Sequence, residues 1–304
     1  MGNAIDDVPQ ELKSWFKVFN RLCNRWDYVQ VFDDFLCIWM NWFCNGEMME
    51  ERDQRMKQYS PEEKQIFNEL FKELVLVMDK QTFDGGWYDP FGEIYQAISS
   101  SHKSSAMGQF FTPETLCNLI AHSIIGTDKR TELLIGEPAC GSGRLVLAAH
   151  TVNRMNHYVC TDADRMCAWM TAVNMCLHNM SGAIMHANSL TMEFWSGWII
   201  KRVELAGNIL PSMHKATEEE IKIWHNERLL VSNFINRNYD KTEEVQVQQS
   251  QSISENSATI LHSISTMELE VSDNDTIQQT FEEEIKRKTK KHLKINPDQL
   301  SLFD

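Results

Sequence analysis

A chain of 304 residues is long enough for one large domain or two modest ones with a sizeable hydrophobic core. With 42% hydrophobic and 24% charged residues, no apolar run of bilayer length and an opening MGNAIDDVPQ without signal-peptide character, it reads as a soluble, cytoplasmic protein, not a membrane or secreted one. A formal net charge of −14 weighs against a chain that grips DNA unaided, because neutralising phosphates supplies most non-specific affinity.

Residues 11 to about 80 carry helical periodicity: Trp15, Phe19, Leu22 and Trp26 on one stripe, then Phe32, Phe35, Leu36, Trp39 and Phe43 on a second. A third helix has a clean start, with Ser60 as N-cap, Pro61 in the first turn and Glu63 completing a capping box; Ile66, Phe67, Leu70, Phe71 and Leu74 form its inward face. FDGGWYDP (83–90) is a loop before a short helix around Ile94, Tyr95 and Ile98, and SSSHKSSAMG is flexible by composition. Thr112 is expected to cap a helix beginning at Pro113, with Leu116, Leu119, Ile120 and Ile124 inward and Gly126 at its end. Strands at ELLIG (132–136), HYVCTD and AIMHANSL then alternate with helices at RLVLAAHTVNR and MCAWMTAVNMCLHNM, which implies parallel βαβ units and an open α/β sheet. FWSGWIIKRVEL fits a helix or a strand, 217–230 a helix, and the polar chain from about 241 is expected to be disordered. The organisation expected is thus 1–105 helical, 106–240 α/β, and 241–304 a tail.

Between the first strand and its helix lies EPACGSG (137–143). Gly141 and Gly143 allow a tight turn and close approach to a ligand, and the helix N-terminus offers free N–H groups. A second strand ends at Asp162, about twenty residues on, where nucleotide-binding folds place a carboxylate for ribose hydroxyls. A lone GxG is often just a structural turn; here strand, turn, helix and second carboxylate occur in order. A third glycine is missing, which argues against NAD. The eight cysteines form no CxxC pair and show no metal-ligand spacing with the ten histidines, so reduced thiols and no metal are expected.

GQFFTP (108–113), EPACGSG (137–143), VCTDADRMCAWMTAVNMCLHN (159–179) and HANSL (186–190), preceded by DPFGEIYQAI (89–98), resemble the ordered blocks of N6-adenine DNA methyltransferases, specifically the modification subunits of type I restriction systems. The resemblance covers roughly residues 10–190. It implies a Rossmann-like methyltransferase core and S-adenosylmethionine (SAM) as cofactor. Phe110, Phe111, Thr112 and Pro113 would fold over its methionine end, Glu137 would lie near the methionine amino group, and Gly141 and Gly143 would make the close approach. Asp162 would take the ribose, and Asn188, where the family prefers Asp, would offer an acceptor oxygen to the adenine amino group. Packing beside the sheet is the alternative for the two phenylalanines.

The family also needs an Asn or Asp followed by Pro-Pro and an aromatic. The target amine's lone pair is delocalised into the ring, so two acceptors must hold its N–H bonds while the aromatic stacks on the flipped base. At the expected place the chain reads ELAGNILPSMH, where Asn208 and Pro211 do not make that motif, and too little chain follows to complete a seven-stranded sheet. The core is therefore expected to be incomplete and the catalytic residues unassigned. Two functions remain: a divergent DNA adenine methyltransferase completed by a second methyltransferase or specificity subunit, or an inactive SAM-binding adaptor.

Gln299, Leu300, Ser301, Leu302 and Phe303 match the pentapeptide by which many bacterial replication and repair proteins dock on the DNA-polymerase sliding clamp. Leu302 and Phe303 would fill an apolar pocket and Gln299 bond at its rim; a tail strand tucked onto the domain is the alternative. Clamp tethering would raise local concentration on DNA despite the negative charge. The basic run from Lys286 to Lys294 could add a contact, or be a solvated helix face.

Overall fold

The computed structural model describes residues 8–101, 110–126, 130–205 and 208–255. The run 102–109, the basic run and the docking peptide at 299–303 lie outside the described residues. A 3-10 turn at Gln10–Leu12 leads into α1 (Lys13–Cys23), α2 (Tyr28–Phe43), α3 (Met49–Met56) and α4 (Pro61–Thr82). The two longest of these have a local reason to start. The Asp27 carboxylate accepts from the N–H groups of Val29 and Gln30 at the head of α2. Ser60 and Glu63 form the expected reciprocal capping box at the head of α4.

The aromatic stripes pack inward as read. Trp15, Phe19, Phe32, Phe35 and Trp39 are fully buried. Trp15 stacks on Phe19 at 4.7 Å and Trp39 on Phe71 at 3.9 Å. Each such ring contributes about 1.5–3 kcal/mol of burial, so these contacts hold the helices as a unit.

After α5 (Pro90–Ser101) and α6 (Glu114–Ile125) come β1 (Leu134–Glu137), α7 (Arg144–Val152), β2 (His157–Asp162), α8 (Arg165–Leu177) and β3 (Gly182–Asn188). β1, β2 and β3 run parallel with α7 and α8 as crossovers, as the alternation of patterns required. The ambiguous FWSGWIIKRVEL is strand β4 (Glu193–Leu205), which turns back antiparallel on β3; β5 (Asn208–Ala216) turns back again on β4. Among the described residues the sheet order is β1-β2-β3-β4-β5, with β1 at one edge. This is an incomplete Rossmann-like core, extended on the β3 side by a hairpin.

α8 is buried from Cys167 to Cys176 because it is covered on both sides, by the sheet and by α2. Asp33 in α2 accepts from both Arg55 and Arg165, and the Arg165 guanidinium lies 4.1 Å over the Trp169 ring. One core runs through the N-terminal helices and the α/β layers, and residues up to Ile235 form a single compact unit. The expected division near residue 105 thus separates types of secondary structure, not packing. α9 (Glu218–Glu255) opens with Thr217 and Glu220 bonded reciprocally. Its helical backbone continues to Glu255, beyond residue 241 where disorder was expected.

α6 departs from its reading. It begins at Glu114 with Pro113 as N-cap, and the Thr112 side chain makes no cap bond. Cys117, Ala121 and Ile125 face inward, whereas Leu116, Leu119 and Ile124 are 43%, 63% and 73% exposed. α6 carries two adjacent apolar stripes, and the one with small residues lets it lie close against α7. Periodicity alone does not choose between such stripes.

Candidate cofactor-binding site

The loop after β1 is held from beneath by backbone. The Cys140 N–H donates to the Thr161 carbonyl at 3.0 Å, and the Gly143 N–H to the Cys140 carbonyl at 2.8 Å. Gly141 and Gly143 have φ of +55° and +93°, left-handed values that cost other residues about 1–2 kcal/mol. Space is tight as well: a Cβ at Gly141 would lie 3.0 Å from the Phe111 ring, and one at Gly143 would lie 3.2 Å from the Thr171 hydroxyl.

Asp162 ends β2 beside this bend. One carboxylate oxygen accepts the Gly141 N–H at 2.8 Å and the other the Asp164 N–H at 2.9 Å. A carboxylate has roughly four acceptor positions, so about two remain for ligand hydroxyls. The Glu137 carboxylate accepts the Ala139 N–H at 3.2 Å. Asn188 ends β3, and its side-chain oxygen accepts the N–H groups of Leu190 and Thr191 at 2.9 and 3.1 Å. Both lone pairs of that oxygen are therefore occupied, and the NH2 group is what Asn188 has to offer. The acceptor oxygen that the resemblance implies at Asn188 is thus taken up within its own turn.

In the FFTP block, Phe111 lies over the glycine bend, 5.3 Å from the Tyr95 ring, with the Arg144 guanidinium 5.7 Å from its centroid. Phe110 is 95% exposed. The two phenylalanines thus divide the alternatives, one packing against the loop and the other left to solvent. Thr112 contributes its carbonyl, which accepts from the Cys117 thiol, and Pro113 ends the block at the head of α6.

The residue that the sequence reading passed over is Asp89. It is 2% exposed and accepts from the Ser142 hydroxyl at 2.6 Å, Arg144 Nε at 2.6 Å, Asn174 Nδ2 at 2.7 Å and the Gly92 N–H at 2.8 Å. Arg144 also donates to Glu93 at 2.6 Å, and Asn174 to the Ser142 carbonyl at 2.8 Å. One carboxylate therefore pins the glycine loop, α5, α7 and α8 together. Burial raises the Glu93 carboxyl pKa, opposed by the Arg144 charge. Close by, His178 takes the Tyr88 N–H at Nε2 (3.1 Å) and contacts the Asn174 carbonyl through Nδ1 (2.7 Å). Burial lowers its pKa, so it is held neutral, with the proton on Nδ1. An Asp directly before Pro90, with Gly92 taking its side chain, is a helix-cap signature that could have drawn attention to Asp89.

Glu137, the glycine bend, Asp162 and Asn188 thus stand at the carboxyl ends of three parallel strands, where open α/β sheets bind ligands. Residues 87–209 match the family described as N-6 DNA Methylase. This segment is N6 DNA methyltransferase-like. No curated protein matches the chain. Among solved structures, the chain is similar to a Listeria monocytogenes protein described as a class I S-adenosylmethionine-dependent methyltransferase: 16% identity, TM-score 0.32, over 57% of this chain and 52% of that one. It is also similar to a type I restriction-modification methyltransferase subunit from Streptococcus thermophilus: 14% identity, TM-score 0.29, over 56% and 55%. The chain spans about half the length of these structures, and at such scores the likeness carries no further argument.

The cofactor that the methyltransferase-like family implies, S-adenosylmethionine, fits the residues present. A Cβ at Gly141 would crowd the Phe111 ring, Asp162 keeps acceptor capacity for a ribose, and Asn188 offers a donor to a purine edge. The acceptor half is different. The seven prolines of the chain include no adjacent pair, so no Pro-Pro motif exists in it. Asn208 and Pro211 lie at the start of β5, opposite Leu205 and Arg202, whereas the crevice end of that hairpin is near Glu193. Twelve residue steps along β4 separate the two ends, roughly 40 Å at strand rise. Asn208 and Pro211 stand at the wrong end of the sheet for chemistry beside Gly141.

Proposed function

We propose that this chain is the cofactor-binding half of a SAM-dependent DNA adenine-N6 methyltransferase and that methyl transfer requires a partner chain. The observation that carries this reading is the split just described: Glu137, the glycine bend, Asp162 and Asn188 gathered at one end of the sheet, and no acceptor motif beside them. When bound, the cofactor supplies an electrophilic methyl group. The chain's own residues do the holding. Gly141 and Gly143 give the backbone its close approach, Asp162 takes ribose hydroxyls, the Asn188 NH2 donates to the adenine edge, and Phe111 excludes water from the glycine bend. In this reading Glu137 takes the methionine ammonium, its carboxylate accepting so far only the Ala139 N–H, and Phe110, Thr112 and Pro113 carry Phe111. A target amine still needs two acceptors and a stacking ring, which the partner would bring.

Transfer of tritiated methyl from SAM to unmethylated DNA tests this reading. The chain alone should give background counts, and the chain with its partner should give incorporation. Incorporation by the chain alone would overturn the division of labour. The same missing motif favours a second reading, in which the chain is an inactive SAM-binding adaptor brought to DNA by Gln299, Leu300, Ser301, Leu302 and Phe303 docking on the sliding clamp. That reading predicts clamp binding that is lost with Leu302→Ala and Phe303→Ala while cofactor binding stays intact.

A further inference from the structure

The arginines divide by place. Arg21, Arg25, Arg52, Arg55, Arg144 and Arg165 each form an ion pair with a carboxylate. Arg154 in the turn after α7, Arg202 in β4 and Arg228 in α9 form none among the described residues. A chain of net charge −14 has carboxylates to spare, so unmatched arginines on neighbouring elements need a reason.

All three stand at the amino ends of the parallel strands, opposite the crevice. Arg154 comes just before β2, and its turn is tied to the segment before β1 by Asn153, whose Nδ2 donates to the Arg130 carbonyl at 2.8 Å. Arg202 Nη1 donates to the Arg154 carbonyl at 3.3 Å, and Arg154 Nη2 to the Gly85 carbonyl at 2.7 Å. Arg228 follows Trp224 by one turn of α9, and Trp224 packs at 6.2 Å on His157 at the start of β2. Arg228 Nε is buried and has no hydrogen-bond partner. Glu132, just before β1, feels two of these charges: burial opposes, but the His157 bond at 2.6 Å and then Arg228 and Arg202 lower its pKa. Arg154 and Arg202 likewise add to burial in lowering the His150 pKa to about 4, so the three charges share one neighbourhood. The one acid among them is already engaged by His157. Carbonyl bonds orient a guanidinium without cancelling its charge, and of its five N–H donors about four remain on Arg154 and on Arg202.

We propose that Arg154, Arg202 and Arg228 form a contact for the sugar-phosphate backbone of duplex DNA, separate from the cofactor crevice and indifferent to base sequence. A planar guanidinium with free N–H groups fits phosphate oxygens, two bonds at a time. A tie to a carbonyl needs one N–H, which a neutral side chain also supplies, so a purely structural role leaves the unmatched charge unexplained. DNA is the polyanion that the proposed function already brings to this chain, and the contact rests on that reading for the identity of its ligand alone. The crevice end does not supply such a grip, because Glu137, Asp162, Asp164 and Glu193 stand there and repel phosphate. The length of β2 separates the two ends, roughly 17 Å at strand rise, so the arginines hold DNA and take no part in methyl transfer.

Fluorescence anisotropy of the full chain with a labelled mixed-sequence duplex, read as salt is raised, tests this. Three phosphate contacts give log K against log salt a slope of about −2.7, or about fortyfold weaker binding between about 50 and 200 mM salt. The basic run from Lys286 to Lys294 adds its own contribution, so the difference between proteins is what counts. Arg154→Ala, Arg202→Ala and Arg228→Ala together should flatten the slope by about 2.7, whereas lysine at the same three positions should keep it. Should the triple alanine variant fail to fold by circular dichroism, Arg228→Gln alone should flatten it by about 0.9. No binding of the duplex by the unaltered chain, an unchanged slope in the alanine or glutamine variant, or equal loss with lysine overturns the proposal. So does displacement by poly-glutamate as effective, charge for charge, as displacement by unlabelled duplex, which would mark an acidic polypeptide as the ligand. Calorimetry with SAM on the same proteins separates the two claims. Cofactor heat with an unchanged slope defeats the arginine contact alone, and the expected slopes without cofactor heat defeat the cofactor-half reading alone.

Discussion

Replacing Asp89 by alanine removes the carboxylate on which the glycine loop, α5, α7 and α8 converge. Arg144 is left buried with only Glu93 as partner, and the Ser142 hydroxyl and Gly92 N–H lose their acceptor. Removing one member of a buried ion pair costs about 3–5 kcal/mol, and each stranded neutral donor about 1–3 kcal/mol. Arg144 keeps one anionic partner and Asn174 keeps the Ser142 carbonyl, so about 4 kcal/mol is expected. In a compact unit of this size, 1 kcal/mol moves the melting temperature by about 2–4 °C, so Asp89→Ala should lower it by roughly 8–16 °C. Asp89→Asn keeps the shape but not the charge and should fall between the two. Cofactor affinity should drop in parallel, because the same carboxylate fixes Ser142 between the two glycines. Differential scanning calorimetry with and without SAM reads both effects. A shift below about 3 °C in Asp89→Ala would refute the view that this carboxylate organises the site.

Gly141→Ala should cost about 1–2 kcal/mol from its left-handed φ and push the new methyl into Phe111, weakening SAM binding while far-ultraviolet circular dichroism stays native. Phe110→Ala, at a 95% exposed ring, should change stability by less than about 0.5 kcal/mol in urea unfolding. Burial lowers the His150 pKa from 6.5 to about 4. The unfolded chain therefore binds the extra proton first, and stability should fall as pH drops from about 6.5 toward 4, by up to about 1.4 kcal/mol per pH unit. His150→Asn should flatten that part of the melting-temperature profile. All eight cysteines are free, and seven are buried; burial pushes the Cys117 thiol up to about 11. Ellman's reagent should thus find at most one fast thiol, Cys23, in the native protein and eight after denaturation.

The parts legible in the sequence were those fixed by local chemistry. Ser60, Pro61 and Glu63 specify a helix start with little help from the rest of the fold, and the glycine bend followed by a strand ending at Asp162 needs only βαβ geometry. What the sequence concealed depended on distant partners. α6 has two apolar stripes, and only its packing on α7 decides which is inside. Thirteen residues around FWSGWIIKRVEL became a strand because β3 had an open side to pair with. Asn188 read as an acceptor until the turn at Leu190 and Thr191 took its oxygen. Asp89 was visible as a residue within DPFGE, but its role comes from Ser142, Arg144 and Asn174, which lie more than fifty residues away.

Isothermal titration of the full chain with SAM and with its demethylated product addresses the central claim most directly. Saturable one-site heat with both compounds, abolished when Asp162 is replaced by alanine, is the predicted outcome. A flat titration with both compounds would contradict it.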